Sequence, residues 1–336
     1  MKLKQFIQQE TVLTAAAVLA VVSAFFVPPD AQYLGYIDLR TLAILFSLMT
    51  VMAGLRRQGF FDGLGRVLLS RTHSTFQLTL VLVGLCFFGS MFITNDVSLL
   101  TFVPFTFVVL SRLGADVRRS LLIPVVCMQT IAANLGSMLT PIGNPQNLYL
   151  YGKSGMSIGG FVLLMLPYTL VSLLLLLAWA ALVCRKASAA LSVDELVSSS
   201  VSQGDQKIIL LYLVLFAVCL LSVIRVLPYG IAFAAVLVCV LFADPHTLRA
   251  VDYSLLLTFV AFFIFIGNLG RIPAFSGWLQ EFLTGREVLV AVLASQVTSN
   301  VPAALLLSGF TAETQALIIG TNLGGLGTLI ASMASL

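Results

Sequence analysis

Apolar runs bounded by charges or by proline and glycine follow one another along the whole chain. They lie at residues 11–27, 41–55, 76–93, 97–110, 121–135, 161–183, 208–224, 229–243, 253–269, 288–297, 303–310 and 316–323. One long polar stretch, serine-rich residues 187–206, interrupts them. The chain is 59% hydrophobic and 10% charged, whereas soluble domains carry roughly 25% charged residues. Such a chain cannot hide its surface from water, so lipid is its solvent. This excludes a soluble enzyme, a disordered chain and a nucleic-acid binder. The basic start at Lys2 and Lys4 precedes a run with no clear small-x-small cleavage site, which reads as an uncleaved first span.

Several runs fall short of the ~20 residues that a crossing needs, most clearly 97–110, 121–135, 288–297 and 303–310. Short apolar helices joined by polar breaks predict re-entrant hairpins and interrupted helices, whose free backbone groups must be buried in protein or line a cavity. Basic residues set the topology. Arg71 precedes 76–110, and Arg112, Arg118 and Arg119 follow it. Both ends therefore face the cytoplasm, with Thr94-Asn95-Asp96 at the hairpin tip. With Lys2 and Lys4 inside, only Arg40, Lys153, Arg225, Arg271 and Arg286 fall outside, which leaves 13 of the 18 basic residues inside.

The two halves match in order. Asp38-Leu39-Arg40-Thr41-Leu42 pairs with Asp252-Tyr253-Ser254-Leu255-Leu256, and residues 93–97 pair with 298–302. Residues 134–142 pair with 322–330. By the topology above Asp38 is outside and Asp252 inside, so the repeats are antiparallel. The expected architecture is an all-α polytopic membrane protein of two inverted-topology repeats, each with a re-entrant hairpin and an interrupted helix. Residues 1–186 form the first repeat, 187–207 a cytoplasmic linker and 208–336 the second. The second stops just after its break, so the expectation is a chain that is truncated or lacks its last span.

At a helix break, backbone carbonyls can coordinate Na+ and helix N-termini can hold an anion. The tips Thr94-Asn95 and Ser299-Asn300, with the breaks 134–147 and 321–328, supply that chemistry. The candidate substrate or ion ligands are Thr94, Asn95, Asp96, Asn134, Gly136, Thr140, Gly143, Asn144, Ser299, Asn300, Thr321, Asn322 and Gly324, with Na+ at Asn95 and Asn300. The plainer reading is that these polar residues cap the following helices. Residues 140–147, with two prolines and a glycine, read as non-helical. Gly136, Gly143 and Gly324 are expected to let backbone approach a bound ion. Asp96 is the one ionisable residue placed deep in the membrane, where a carboxylate is usually functional. The five cysteines read as packing residues, and no metal site is visible.

The segments "FITNDVSLLTFVP", "ANLGSMLTPIGNPQN" and "SQVTSNVP" resemble the ion transporter superfamily. That group includes arsenite permeases, NhaD-type sodium/proton antiporters, citrate carriers and divalent-anion/sodium symporters. The segments look most like the arsenite-permease and antiporter branch and its bacterial inner-membrane members. In the divalent-anion symporters a Ser-Asn-Thr lies at each hairpin tip, and hairpins and breaks together form two sodium sites and an anion site. Here Asp96 and Val301 depart from that pattern, so each tip loses a Thr hydroxyl. The resemblance also implies a homodimer with one site per protomer.

The expected function is secondary active transport of a small inorganic or carboxylate anion, or of Na+, by alternating access and with Na+ or H+ as coupling ion. Alternatives are an arsenite-type permease working with a partner ATPase and a Na+/H+ antiporter. A remote alternative, an intramembrane enzyme, lacks any HExxH, GxGD or Ser/His pair at membrane depth.

Overall fold

A computed structural model describes residues 10–70, 72–185, 204–328 and 330–332. The expected linker is therefore seen only at its end, where Asp205 N donates to Gln58 Oε1 at 3.1 Å.

The first half runs α1 (Thr11–Phe26), α2 (Tyr33–Tyr36), α3 (Leu39–Arg57), α4 (Phe60–Leu69), α5 (Thr75–Ile93), α6 (Asn95–Ser111), α7 (Ala115–Ser137), α8 (Pro145–Ser154) and α9 (Ile158–Cys184). The second runs α10 (Gln206–Val223), α11 (Tyr229–Ala243), a 3-10 turn (Pro245–Ala250), α12 (Tyr253–Gly270), α13 (Pro273–Leu283), α14 (Glu287–Thr298), α15 (Asn300–Leu307) and α16 (Thr314–Leu323). Six of these helices, α3, α5, α7, α9, α10 and α12, are long and apolar enough to cross a membrane. The chain is an all-α multi-pass membrane protein, as its composition requires.

The halves start alike. Asp38 and Asp252 hold the same backbone conformation, φ −78° and ψ 86°. Each caps the helix that follows, accepting from Thr41 N at 3.0 Å and from Leu255 N at 2.9 Å. The halves also pack crosswise, α3 against α11 and α12 against α1. Within each half the pattern recurs, with α5 on α7 and α14 on α16.

Three expectations need correction. The run 121–135 is no short limb, because α7 spans 23 residues. Its first turns carry Asp116, Arg118 and Arg119, whose charges reach water without ending the helix, so hydropathy alone underestimates it. The limb α6 likewise has 17 residues rather than 14. Residues 140–147 are not wholly irregular either. Pro145 starts α8 at a helix N-terminus, where the missing N–H has no partner to lose.

Candidate substrate and ion site

Each hairpin turns on one non-glycine residue with positive φ. Thr94 has φ 67° and ψ 154°, and Ser299 has φ 75° and ψ 158°. Left-handed conformations of this kind are costly for side chains with a Cβ and persist only where surroundings enforce them. Here the next residue is pinned. Asn95 N donates to Gly143 O at 3.2 Å and Asn300 N to Ala331 O at 2.9 Å. Each asparagine then turns its Oδ1 back to the following N–H, Asp96 N at 3.0 Å and Val301 N at 2.9 Å.

The breaks are latched in matching fashion. Thr140 Oγ1 donates to Met91 O and accepts from Gly143 N. Thr328 Oγ1 donates to Gln296 O at 2.9 Å. Thr140 therefore ties break to hairpin. Gly136 and Gly324 serve the same joints. A Cβ on Gly136 would lie 2.0 Å from Phe87 O, and one on Gly324 2.8 Å from the Ser295 side chain. These glycines let helices touch. Gly143 folds back on Ser137 O, which a Cβ would meet at 2.0 Å.

Side chains of the two halves meet in a buried amide cluster. Asn95 Nδ2 donates to Asn134 Oδ1 at 3.0 Å and to Ser332 Oγ at 3.2 Å. Asn322 Nδ2 donates to Asn147 Oδ1 at 2.6 Å, and Asn147 Nδ2 reaches the Ser137 and Thr140 carbonyls at 3.3 Å. Asn144 Nδ2 donates to Ser137 Oγ at 2.6 Å. Thr321 stays apart, its Oγ1 bonding back to Leu317 O. At the second tip, Ser299 Oγ donates to Asn300 Oδ1 at 3.3 Å.

Several buried polar atoms remain unused. Asp96 Oδ1, Asn144 Oδ1, Asn322 Oδ1 and both amide atoms of Gln146 are buried without a hydrogen-bond partner. Natural proteins seldom leave such atoms bare. Asp96 accepts no hydrogen bond among the described residues, so its carboxylate does not act as the cap that the plainer reading gave it. Gln146, fully buried, was not among the sequence candidates. Its only signal was a polar residue beside a break.

Two polar tips packed beside the ends of α7 and α16, within an apolar bundle, fit a membrane transporter, and no three His, Cys, Asp or Glu among the described residues gather to hold a metal. The chain belongs to the citrate transporter family CitMHS, which matches residues 6–334. It is 32% identical over 320 residues to the inner membrane protein YbiR of Escherichia coli, covering 93% of this chain and 82% of that protein. It is 30% identical over 300 residues to an uncharacterized transporter of Methanocaldococcus jannaschii, covering 89% and 80%. A shorter match, 31% over 137 residues, joins 41% of the chain to 27% of the silicon efflux transporter LSI3 of rice, Oryza sativa. The superfamily expected from the motifs is thus borne out. The family matched is that of citrate transporters, one of the groups that the motifs resembled. The family is one of transporters and not of enzymes.

Proposed function

We propose that the protein is a secondary active transporter that carries a small anion by alternating access, coupled to Na+ or H+. Residues 1–186 and 208–336 act as inverted repeats, working as a homodimer in a bacterial inner membrane. The observation that carries this reading is the pair of backbone bonds from Asn95 to Gly143 and from Asn300 to Ala331. Equivalent tips on equivalent breaks give one site two related gates, which alternating access requires. The family's name points to a carboxylate substrate. No Lys or Arg stands among the candidate ligands, so helix N-termini and a co-bound cation would balance the anion's charge.

A proteoliposome uptake screen tests this, with mono-, di- and tricarboxylates, silicate, arsenite and Na+, each with and without pH and Na+ gradients. Gradient-driven accumulation of one substrate class is the expected result. Uptake that only equilibrates, whatever gradient is imposed, would replace the transporter reading with a channel. Na+/H+ antiport is the second reading, favoured by unpaired buried oxygens that can only accept.

A further inference from the structure

Asp96 and Asn144 share a cavity of about 150 Å³ with Thr94, Arg56 and Asp252. Asn144 is 3% exposed, lines that cavity and has an unpartnered Oδ1. Its Nδ2 is held by Ser137 Oγ, which leaves the bare Oδ1 to meet a ligand. Asp96 contributes a second buried, unpartnered oxygen. Arg56 donates to Leu100 O at 3.4 Å and makes no ion pair with either carboxylate among the described residues. Two carboxylates and one guanidinium leave a single net negative charge. Bare acceptors with that charge suit one monovalent cation, because a buried carboxylate needs a compensating partner.

Asp252 differs from its counterpart in one telling respect. Asp38 has both oxygens engaged by Thr41, one by the N–H and the other by Oγ1. The residue facing Asp252 in the same way is Leu255, which supplies an N–H and no hydroxyl. One Asp252 oxygen is therefore left for a ligand. The surroundings differ too, since Asp38 lies in a cavity with Arg40 and Lys153, which repel a cation.

We propose that Asp96, Asn144 and Asp252 form a Na+ site reached from the face that bears Arg56 and Asp252, cytoplasmic by the basic-residue distribution, with Asp252 drawing the ion in. This rests on the transporter reading and deepens it. The ion sits on Asp96 and Asn144, and not on the amides of Asn95 and Asn300, whose oxygens already accept backbone N–H groups.

The test is equilibrium binding of radioactive Na+ to the purified full chain in lipid nanodiscs at pH 8, without substrate. Wild type should bind saturably and Asp96→Asn should lose binding. Asp252→Asn should weaken it at least tenfold, while Asp38→Asn stays within twofold. Asn caps a helix nearly as well as Asp, so both Asn variants keep their N-caps. Leu255→Thr keeps the Asp252 charge and gives its free oxygen the partner that Asp38 has. It should weaken binding several-fold, which keeps the proposal testable should Asp252→Asn misfold. Absence of saturable binding in wild type, or Asp252→Asn and Leu255→Thr both within twofold of it, would overturn the site. An equal loss in Asp38→Asn would do the same. Na+-coupled uptake with an unaffected Asp252→Asn would sink this site and spare the transporter. The full binding pattern without gradient-driven uptake would do the reverse.

Discussion

Asn95 spends its whole amide inside the protein, donating to Asn134 and Ser332 and accepting from Asp96 N. Its truncation leaves buried partners unsatisfied, at about 1–3 kcal/mol for each exposed deficit. Asn95→Ala is expected to lower the thermal unfolding midpoint in detergent and to abolish uptake. Asn300 holds fewer side-chain bonds, so Asn300→Ala should abolish uptake with a smaller thermal shift. Near-normal uptake in either variant would return that tip to a structural role. The Asp96 carboxylate accepts no hydrogen bond among the described residues, so Asp96→Asn should fold normally and lose gradient-driven accumulation while substrate exchange persists. The readout is accumulation against imposed pH and Na+ gradients, and full accumulation by the variant would remove Asp96 from coupling.

Helix pairs in lipid gain little from apolar burial, because tails are as apolar as leucine, so close backbone contact decides where they join. Gly136 is such a joint between α7 and α5, and its Cα hydrogen stands where a methyl group would strike Phe87 O. Gly136→Ala must push the two helices apart, costing about 1–3 kcal/mol as overpacking does. Gly63 on α4 has nothing within 4 Å of a built Cβ. Gly63→Ala should therefore raise stability by about 0.4–1 kcal/mol through the unfolded chain. Thermal unfolding of the two variants side by side checks the opposite signs. Equal shifts would mean that α5 and α7 adjust freely at the break.

Two arginines in corresponding places clasp the molecule across its halves. Arg57 at the end of α3 pairs with Asp244 at 3.0 Å, and Tyr212 and Thr247 also donate to that carboxylate. Arg271 at the end of α12 pairs with Asp30 at 2.8 Å and donates to Tyr36 OH. Asp244 is 8% exposed, so Arg57→Ala leaves a buried carboxylate short of its cation, at about 1–3 kcal/mol or more. The Arg271 pair is open to solvent on both sides, and Arg271→Ala should cost about 0–1 kcal/mol. Chemical unfolding of the two variants measures the difference. The clasps lie on opposite faces if the repeats are inverted. Cysteines at Ser198 and Lys153, in a background cleared of native cysteines, then report topology through an impermeant thiol reagent on intact cells. Labelling at position 153 and not at 198 is expected, and the converse would invert the assignment.

The solvent and most of the spans were legible in the sequence, because hydropathy and helix breaking are local. The alignment that sets 134–142 against 322–330 also sets Gly143 against Ala331, the two carbonyls that receive Asn95 and Asn300. Charged turns misled the same reading, as at Asp116 and Arg118, since a helix outlasts its apolar run where its ends reach water. Only the tertiary structure decided which polar atoms stay bare. Asn134 and Asn144 look alike in sequence, yet Asn134 Oδ1 is taken by Asn95 while Asn144 Oδ1 has no partner. Hydrogen-bond satisfaction depends on groups brought from elsewhere in the chain, and so does the meeting of Asp96 with Asp252 in one cavity. No local pattern encodes either.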